Sequence, residues 1–186
     1  MRYPLTPSQT VGPYLHIGFD WLCSTDLASA ETPGERIRIE GQLLDAEGIV
    51  VPDGVIEIWQ ADAHGAYAQS EPGHAPNSGF TGFGRCATDA EGRFHFSTIK
   101  PGCVPAADGS LQSPHIMVNI LARGLLKQVV TRIYFAGDAH EQDFVLQQVP
   151  AARRATLVAQ PVPDRQGCFS WQVALGGHNE TVFFEI

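Results

Sequence analysis

The feature that most constrains this chain is a two-residue apolar period that recurs in short segments along its length. In RIRIEGQLL, Ile37 and Ile39 fall on one face; Ile56 and Ile58 do so in VIEIWQ, and Phe94 and Phe96 in RFHFS. The pattern returns in HIMVNILA (Ile116, Val118, Ile120), VVTRIYF (Ile133, Phe135), CFSWQVAL (Phe169, Trp171, Val173) and the closing TVFFEI. Successive side chains of a strand point to opposite faces, so each segment reads as a strand with one buried side. Many such strands bury those sides only against one another, which predicts an all-β sandwich of mostly antiparallel strands. Turn chemistry separates them: DAEG at 45–48, PDG at 52–54, DAEG at 89–92 and GG at 176–177. The repeated DAEG is two turns and not an internal repeat.

Two stretches break the period. The Pro- and Gly-rich QSEPGHAPNSGFTGFG (69–84) predicts a long surface loop, and QVPAARRATLVA (148–159) predicts one short helix, its ARRA a solvated face. No linker or compositional break divides the chain, so residues 1–186 are expected to form a single domain, with the proline-punctuated residues 1–30 as an arm outside the core. No apolar run approaches the roughly 20 residues that cross a bilayer, and the opening MRYPLTPSQTVGPYLHIGFD lacks the continuous apolar stretch of a secretory signal. A cytoplasmic protein is expected. Its net charge of −8 argues against nucleic-acid binding, which needs clustered Lys and Arg. Cys23, Cys86, Cys103 and Cys168 form no C-x-x-C pair, which argues against a zinc ribbon or redox motif and predicts four reduced thiols.

The stretch PGCVPAADGSLQSPHIMV (101–118) runs from a turn-rich loop into a strand. His115 and Met117, two apart, share a strand face and are placed as a pair of ligands would be. Methionine is a soft thioether, poorly matched to a hard ion. The site is one with pieces missing.

TPSQTVGPYLHIG, WQADAHGAYAQ, GRFHFSTIKPG, SPHIMVNI and TRIYFAGD, taken in order over nearly the whole chain, resemble the intradiol ring-cleaving dioxygenases, and among them the α subunits that pair with an iron-bearing homologue. The iron-bearing chains of that family hold a non-haem ferric ion with two tyrosines and two histidines. Phenolate, a hard anionic donor, suits ferric iron once the metal displaces its proton. The resemblance maps the first tyrosine to Tyr67 and the first histidine to His115. Val104 stands in place of the second tyrosine and Met117 in place of the second histidine. An arginine that stabilises charge on the substrate corresponds to Gln112. The resemblance therefore implies degenerate ligand positions (Tyr67, Val104, His115, Met117), no metal on this chain, and Fe(3+) held by a homologous β subunit in αβ units of a larger oligomer. It also implies that Thr10, Gly12, Pro13 and Tyr14 of the arm, with Arg132, help close the partner's pocket around a small aromatic acid that reacts with O2. Gly12 admits close backbone approach, Pro13 is a stiff apolar wall, and Arg132 is a fixed charge suited to a carboxylate.

The residues by themselves also admit plainer roles. Tyr67 and His115 read more readily as packed side chains than as ligands, and Arg132 as the neutralising partner of Glu141 or Asp143. The arm reads as a disordered tail or as a docking segment. His16, His64, His74, His95, His140 and His178 have no H-x-H or H-x-x-x-H spacing and read as scattered surface residues. Two rival functions remain at this point: a stand-alone module that binds a small aromatic ligand without catalysis, and a homomeric dioxygenase with substitute ligands, which Val104 and Met117 disfavour.

Overall fold

The alternating segments pair as strands. A computed structural model describes residues 4–68, 80–106 and 108–185, and contains β1 (Arg36–Leu44), β2 (Val55–Gln60), β3 (Phe83–Ala87), β4 (Arg93–Ile99), β5 (Val104–Pro105), β6 (Leu111–Gln112), β7 (Ile116–Leu121), β8 (Val129–Phe135), β9 (Val158–Pro161) and β10 (Cys168–Ala174). Eight of them form one sheet in the order β3-β2-β7-β8-β9-β10-β1-β4, and β5 and β6 make a separate small ribbon. Pairing is antiparallel except where β1 meets β10 and β8 meets β9. The sheet turns back on itself so that one set of alternating residues (Ile56, Ile58, Ile116, Val118, Ile120, Ile133) packs against another (Ile37, Ile39, Phe94, Phe96, Trp171, Val173) in a single core. Burying such side chains, at about 25 cal/mol per Å² of apolar surface, is the main force that holds the layers together. Gln60, fully buried, ties them by polar bonds: its Nε2 donates to the Ile99 carbonyl at 2.9 Å and its Oε1 accepts from the Thr98 hydroxyl at 2.8 Å.

The sheet's two edges, β3 and β4, are exposed ladders unless covered. Residues 24–27 cover both. Ser24 pairs with Arg85 of β3, while Thr25 and Leu27 exchange backbone bonds with Ser97 of β4. The arm that precedes this seam is thus 4–22, and Thr10 ties it to the body at Ala122 and Gly124. It contains α1 (Pro13–Phe19), whose proline opens the helix where no N–H is needed, and a 3-10 turn at Asp20–Leu22.

The helix expected over 148–159 is corrected. Pro150 lacks an N–H and the β-branched Val158 begins β9, so the stretch splits into the end of α2 (Phe144–Gln148), a 3-10 helix at Ala151–Leu157, and a strand. Together these lay a second, smaller core of Leu146, Val149 and Leu157 over Tyr134, on the outer side of β8. Residues 181–185 of the closing TVFFEI form no regular strand: Thr181 bonds to Ala174, Val182 to the Thr156 hydroxyl and Phe184 to Val130, so their backbone is shared among several elements. Residues 69–79 of the expected loop, with His74, lie outside the described residues. Among the described residues no helix is long and apolar enough to cross a membrane.

Candidate functional site

The degenerate ligand positions gather on the outer face of β7 and β8. Met117 pairs with Arg132 in register. His115, one residue before β7, stacks its ring 6.0 Å from that of Tyr134. Val104 of β5 pairs with Gln112 of β6, and Gln112 accepts a hydrogen bond of 2.9 Å from Nη1 of Arg132. Tyr67 arrives from a tight turn in which the Asp62 carboxylate accepts N–H bonds from His64 and Ala66, at 2.8 and 3.0 Å. Gly65 at φ +83 makes that turn possible; a Cβ there would lie 1.9 Å from the Cys103 carbonyl oxygen. The turn is therefore pressed against the loop that carries Val104, and Tyr67 stands beside it, with Trp59 meeting its ring edge-on at 6.2 Å.

The electrostatics of the cluster are set by Arg132. Burial pushes the His115 imidazole down to about 4, and the guanidinium pushes it in the same direction, so His115 is neutral. Its Nδ1 lies 2.8 Å from the Ser113 carbonyl. Burial raises Tyr67 against the opposing pull of the same guanidinium, so the phenol keeps its proton. Burial likewise raises Tyr134. Arg132 itself meets a carboxamide and, at 3.4 Å, the Tyr134 hydroxyl; among the described residues it forms no ion pair with a carboxylate. The Asp143 proposed from sequence as its neutralising partner is reached only through Tyr134, whose hydroxyl donates to Asp143 at 3.1 Å. Asp143 is fully buried and also accepts N–H bonds from Ser113 and Leu146, both at 2.8 Å, which caps α2 and pins the segment bearing Gln112 and His115. Glu141 plays no part in the cluster among the contacts described.

A ferric ion does not fit these residues. Val104 offers no donor, Met117 offers a soft one, and a fixed cation stands among the rest. The cluster suits an anion instead, because a half-buried guanidinium without a carboxylate partner gains most from one.

The N-terminal pocket residues lie elsewhere on this chain. The Thr10 hydroxyl accepts from the Gly124 N–H at 2.8 Å, just beyond the end of β7. Ala122, whose carbonyl Thr10 also reaches, is five residues past Met117, about 16 Å at ~3.3 Å per residue. The structure brings Arg132 together with Tyr67, Gln112, Val104, His115 and Met117, but not with Thr10, Gly12 or Tyr14. Gly12 and Tyr14 are exposed, with Ile17 and Trp21 beside them on the arm. Pro13 begins α1. Sequence reasoning missed Trp59, Tyr134 and Ser113. Tyr134 was legible only as a strand residue, and the pairing of Ser113 with an acid thirty residues away has no local signal.

Comparison with known proteins adds the following. The sequence pattern of a family described as Dioxygenase matches residues 22–177. The chain is 43% identical to the protocatechuate 3,4-dioxygenase alpha chain of Burkholderia cepacia, over 97% of this chain and 97% of that one. It is 35% identical to the protocatechuate 3,4-dioxygenase beta chain of the same species, over 84% of this chain and 67% of that one. Among solved structures, catechol 1,2-dioxygenase from Pseudomonas arvilla C-1 superposes with a TM-score of 0.64 at 23% identity, covering 82% of this chain and 55% of that one, a likeness of fold.

Proposed function

We propose, since the chain belongs to the intradiol dioxygenase family, that it is the non-iron-binding α subunit of a protocatechuate 3,4-dioxygenase. Its homologous β subunit holds Fe(3+), which supplies the activation of the catecholic substrate toward O2. The ring opens between the two hydroxyl-bearing carbons and both oxygen atoms enter the product, 3-carboxy-cis,cis-muconate. The observation that carries this reading is the Val104, Met117 and Arg132 cluster, which has an alkyl group and a thioether at two of the ligand positions and a cation beside them.

This chain's part is binding and enclosure. Arg132 meets the substrate's carboxylate with a charge that the carboxamide of Gln112 and the phenol of Tyr134 hold in place. Thr10, Gly12, Pro13 and Tyr14 form a wall that excludes water. A pocket using both groups requires the arm to leave Gly124 on docking, and the exposed Tyr14, Ile17 and Trp21 supply apolar surface that such docking buries. The chain is acidic overall, so attraction of an anionic substrate comes from Arg132 and not from the protein's net field.

The test is purification of this chain with its partners from the native source, separation of the chains, and metal analysis of each. Iron on the partner only is expected. Stoichiometric ferric iron on this chain, or its isolation as a soluble unit without a homologous chain, overturns the reading.

A further inference from the structure

Both acceptors of the Arg132 guanidinium depend on one carboxylate that does not itself bond to it. The oxygens of Asp143 divide their partners: Oδ1 accepts from the Tyr134 hydroxyl at 3.1 Å and the Leu146 N–H at 2.8 Å, and Oδ2 accepts from the Ser113 N–H at 2.8 Å. Tyr134 in turn accepts from Nη1 of Arg132 at 3.4 Å. Gln112, the residue before Ser113, accepts from the same nitrogen at 2.9 Å. Asp143 thus fixes both partners of Nη1, one through a hydroxyl and the other through the backbone.

The directions of these bonds are forced. A carboxylate only accepts and a guanidinium only donates, so the single phenolic proton points at Asp143 and a lone pair of the same oxygen faces Arg132. The frame behind the guanidinium is closely held: Tyr134 and Asp143 are fully buried, His140 meets the Tyr134 ring edge-on at 5.5 Å, and Leu146, Val149 and Leu157 pack with it. Nη1 carries two N–H groups and has two acceptors. Among the described residues Nε and Nη2 have none. Those two nitrogens form the edge of the guanidinium whose parallel N–H groups match the two oxygens of a carboxylate.

We propose that Asp143 is a positioning residue for the substrate's carboxylate: by fixing Tyr134 and Gln112 it anchors Arg132 at Nη1 and leaves the Nε–Nη2 edge to grip that carboxylate side-on. This rests on the assignment of Arg132 to the carboxylate. An unanchored guanidinium turns any of its edges toward a ligand. Anchored at Nη1, it presents one edge and loses less rotational freedom when the substrate binds. Asp143 and Tyr134, both buried behind the guanidinium, act on the substrate only through Arg132.

The assembled enzyme carrying Tyr134→Phe, Asp143→Asn, Arg132→Met, or Tyr134→Phe together with Arg132→Met is assayed at steady state on protocatechuate and on catechol. Tyr134→Phe cuts the link and leaves Asp143 capping α2. It should raise KM for protocatechuate by about three- to tenfold, the worth of one ordinary hydrogen bond, with kcat little changed and a far smaller effect on catechol. Asp143→Asn should lose at least as much wherever size-exclusion chromatography shows the oligomer intact; where it does not assemble, Tyr134→Phe and the double variant decide. In the Arg132→Met background Tyr134→Phe should cost nothing further on protocatechuate, a coupling that a purely structural role does not produce. Tyr134→Phe or an assembled Asp143→Asn that matches the wild type, a Tyr134→Phe loss that adds in full to that of Arg132→Met, or an equal loss on both substrates overturns the positioning role while a selective loss in Arg132→Met keeps that residue's assignment. No selective loss on protocatechuate in Arg132→Met overturns the assignment, and the positioning role with it.

Discussion

Met117 lies directly opposite Arg132 across the β7–β8 ladder, so a thioether and a guanidinium share the ground on which a metal would need hard anionic donors. Restoring donors without moving the charge is therefore insufficient. Cross-strand neighbours stand about 5 Å apart, where a unit charge opposes another by about 3 kcal/mol at an effective dielectric of ~20. Val104→Tyr with Met117→His is expected to bind ferric ion weakly. Exchanging the hydrogen-bonded pair as well, Gln112→Arg with Arg132→Gln, keeps one guanidinium and one carboxamide but moves the cation from β8 to β6. Ferric titration followed by the visible tyrosinate absorption should show tighter binding in the fourfold variant; equal affinity in both would mean that the position of the charge is irrelevant.

Gly65→Ala should displace Tyr67. The residue sits at φ +83 and its new methyl would lie 1.9 Å from the Cys103 carbonyl, a backbone contact that no side-chain rotation relieves. A loss of about 1–3 kcal/mol is expected from the conformation alone, more with the clash. Chemical denaturation measures the loss, and quenching of tryptophan fluorescence reports whether Trp59 has lost its contact with Tyr67. An unchanged midpoint would show that the turn is free to move away from Cys103.

The period-2 segments yielded the strands and the core face because burial on one side of a sheet imposes that pattern directly on the sequence. They did not yield the closing of the sheet, since residues 24–27 contribute mainly backbone bonds, which leave no side-chain signature. The same holds for helix type: AARRATL reads as helical, but Pro150 and the following strand allow only a 3-10 form. Four degenerate positions were legible through resemblance. Their clustering about Arg132 was not, because it depends on the β5–β6 ribbon, two residues long on each side and formed of pairings too short for any periodicity.

His115 makes stability depend on pH. Its folded value is depressed to about 4 from 6.5, so between those values the unfolded chain binds a proton that the folded chain does not. Stability is complete above about 6.5 and falls as the pH drops toward 4. At 1.36 kcal/mol per pKa unit, the loss is on the order of 3 kcal/mol. Urea midpoints of the intact protein measured across this range should decline with acid, and His115→Gln should flatten the decline. A wild type and variant with parallel profiles would assign the acid sensitivity to other groups.

Arg132→Ala should separate recognition of the substrate's carboxylate from support of the fold. The guanidinium is half-buried, donates to Gln112 at 2.9 Å and contacts the Tyr134 hydroxyl, and it faces no carboxylate of the described chain. A charge-assisted bond in such surroundings is worth roughly 1.5–3 kcal/mol. Loss of the arginine should weaken protocatechuate binding in the assembled enzyme by about ten- to a hundredfold, at 1.4 kcal/mol per tenfold. Catechol has no carboxylate to lose, so its turnover should change far less. An arginine's stem can cover apolar surface, and an alanine removes any such packing together with the charge. Arg132→Met keeps most of the stem and removes only the charge, so it should reproduce the loss on protocatechuate while leaving the oligomer intact by size-exclusion chromatography. Equal losses on both substrates, in both variants, would place Arg132 in the structure of the assembly and remove it from recognition of the acid.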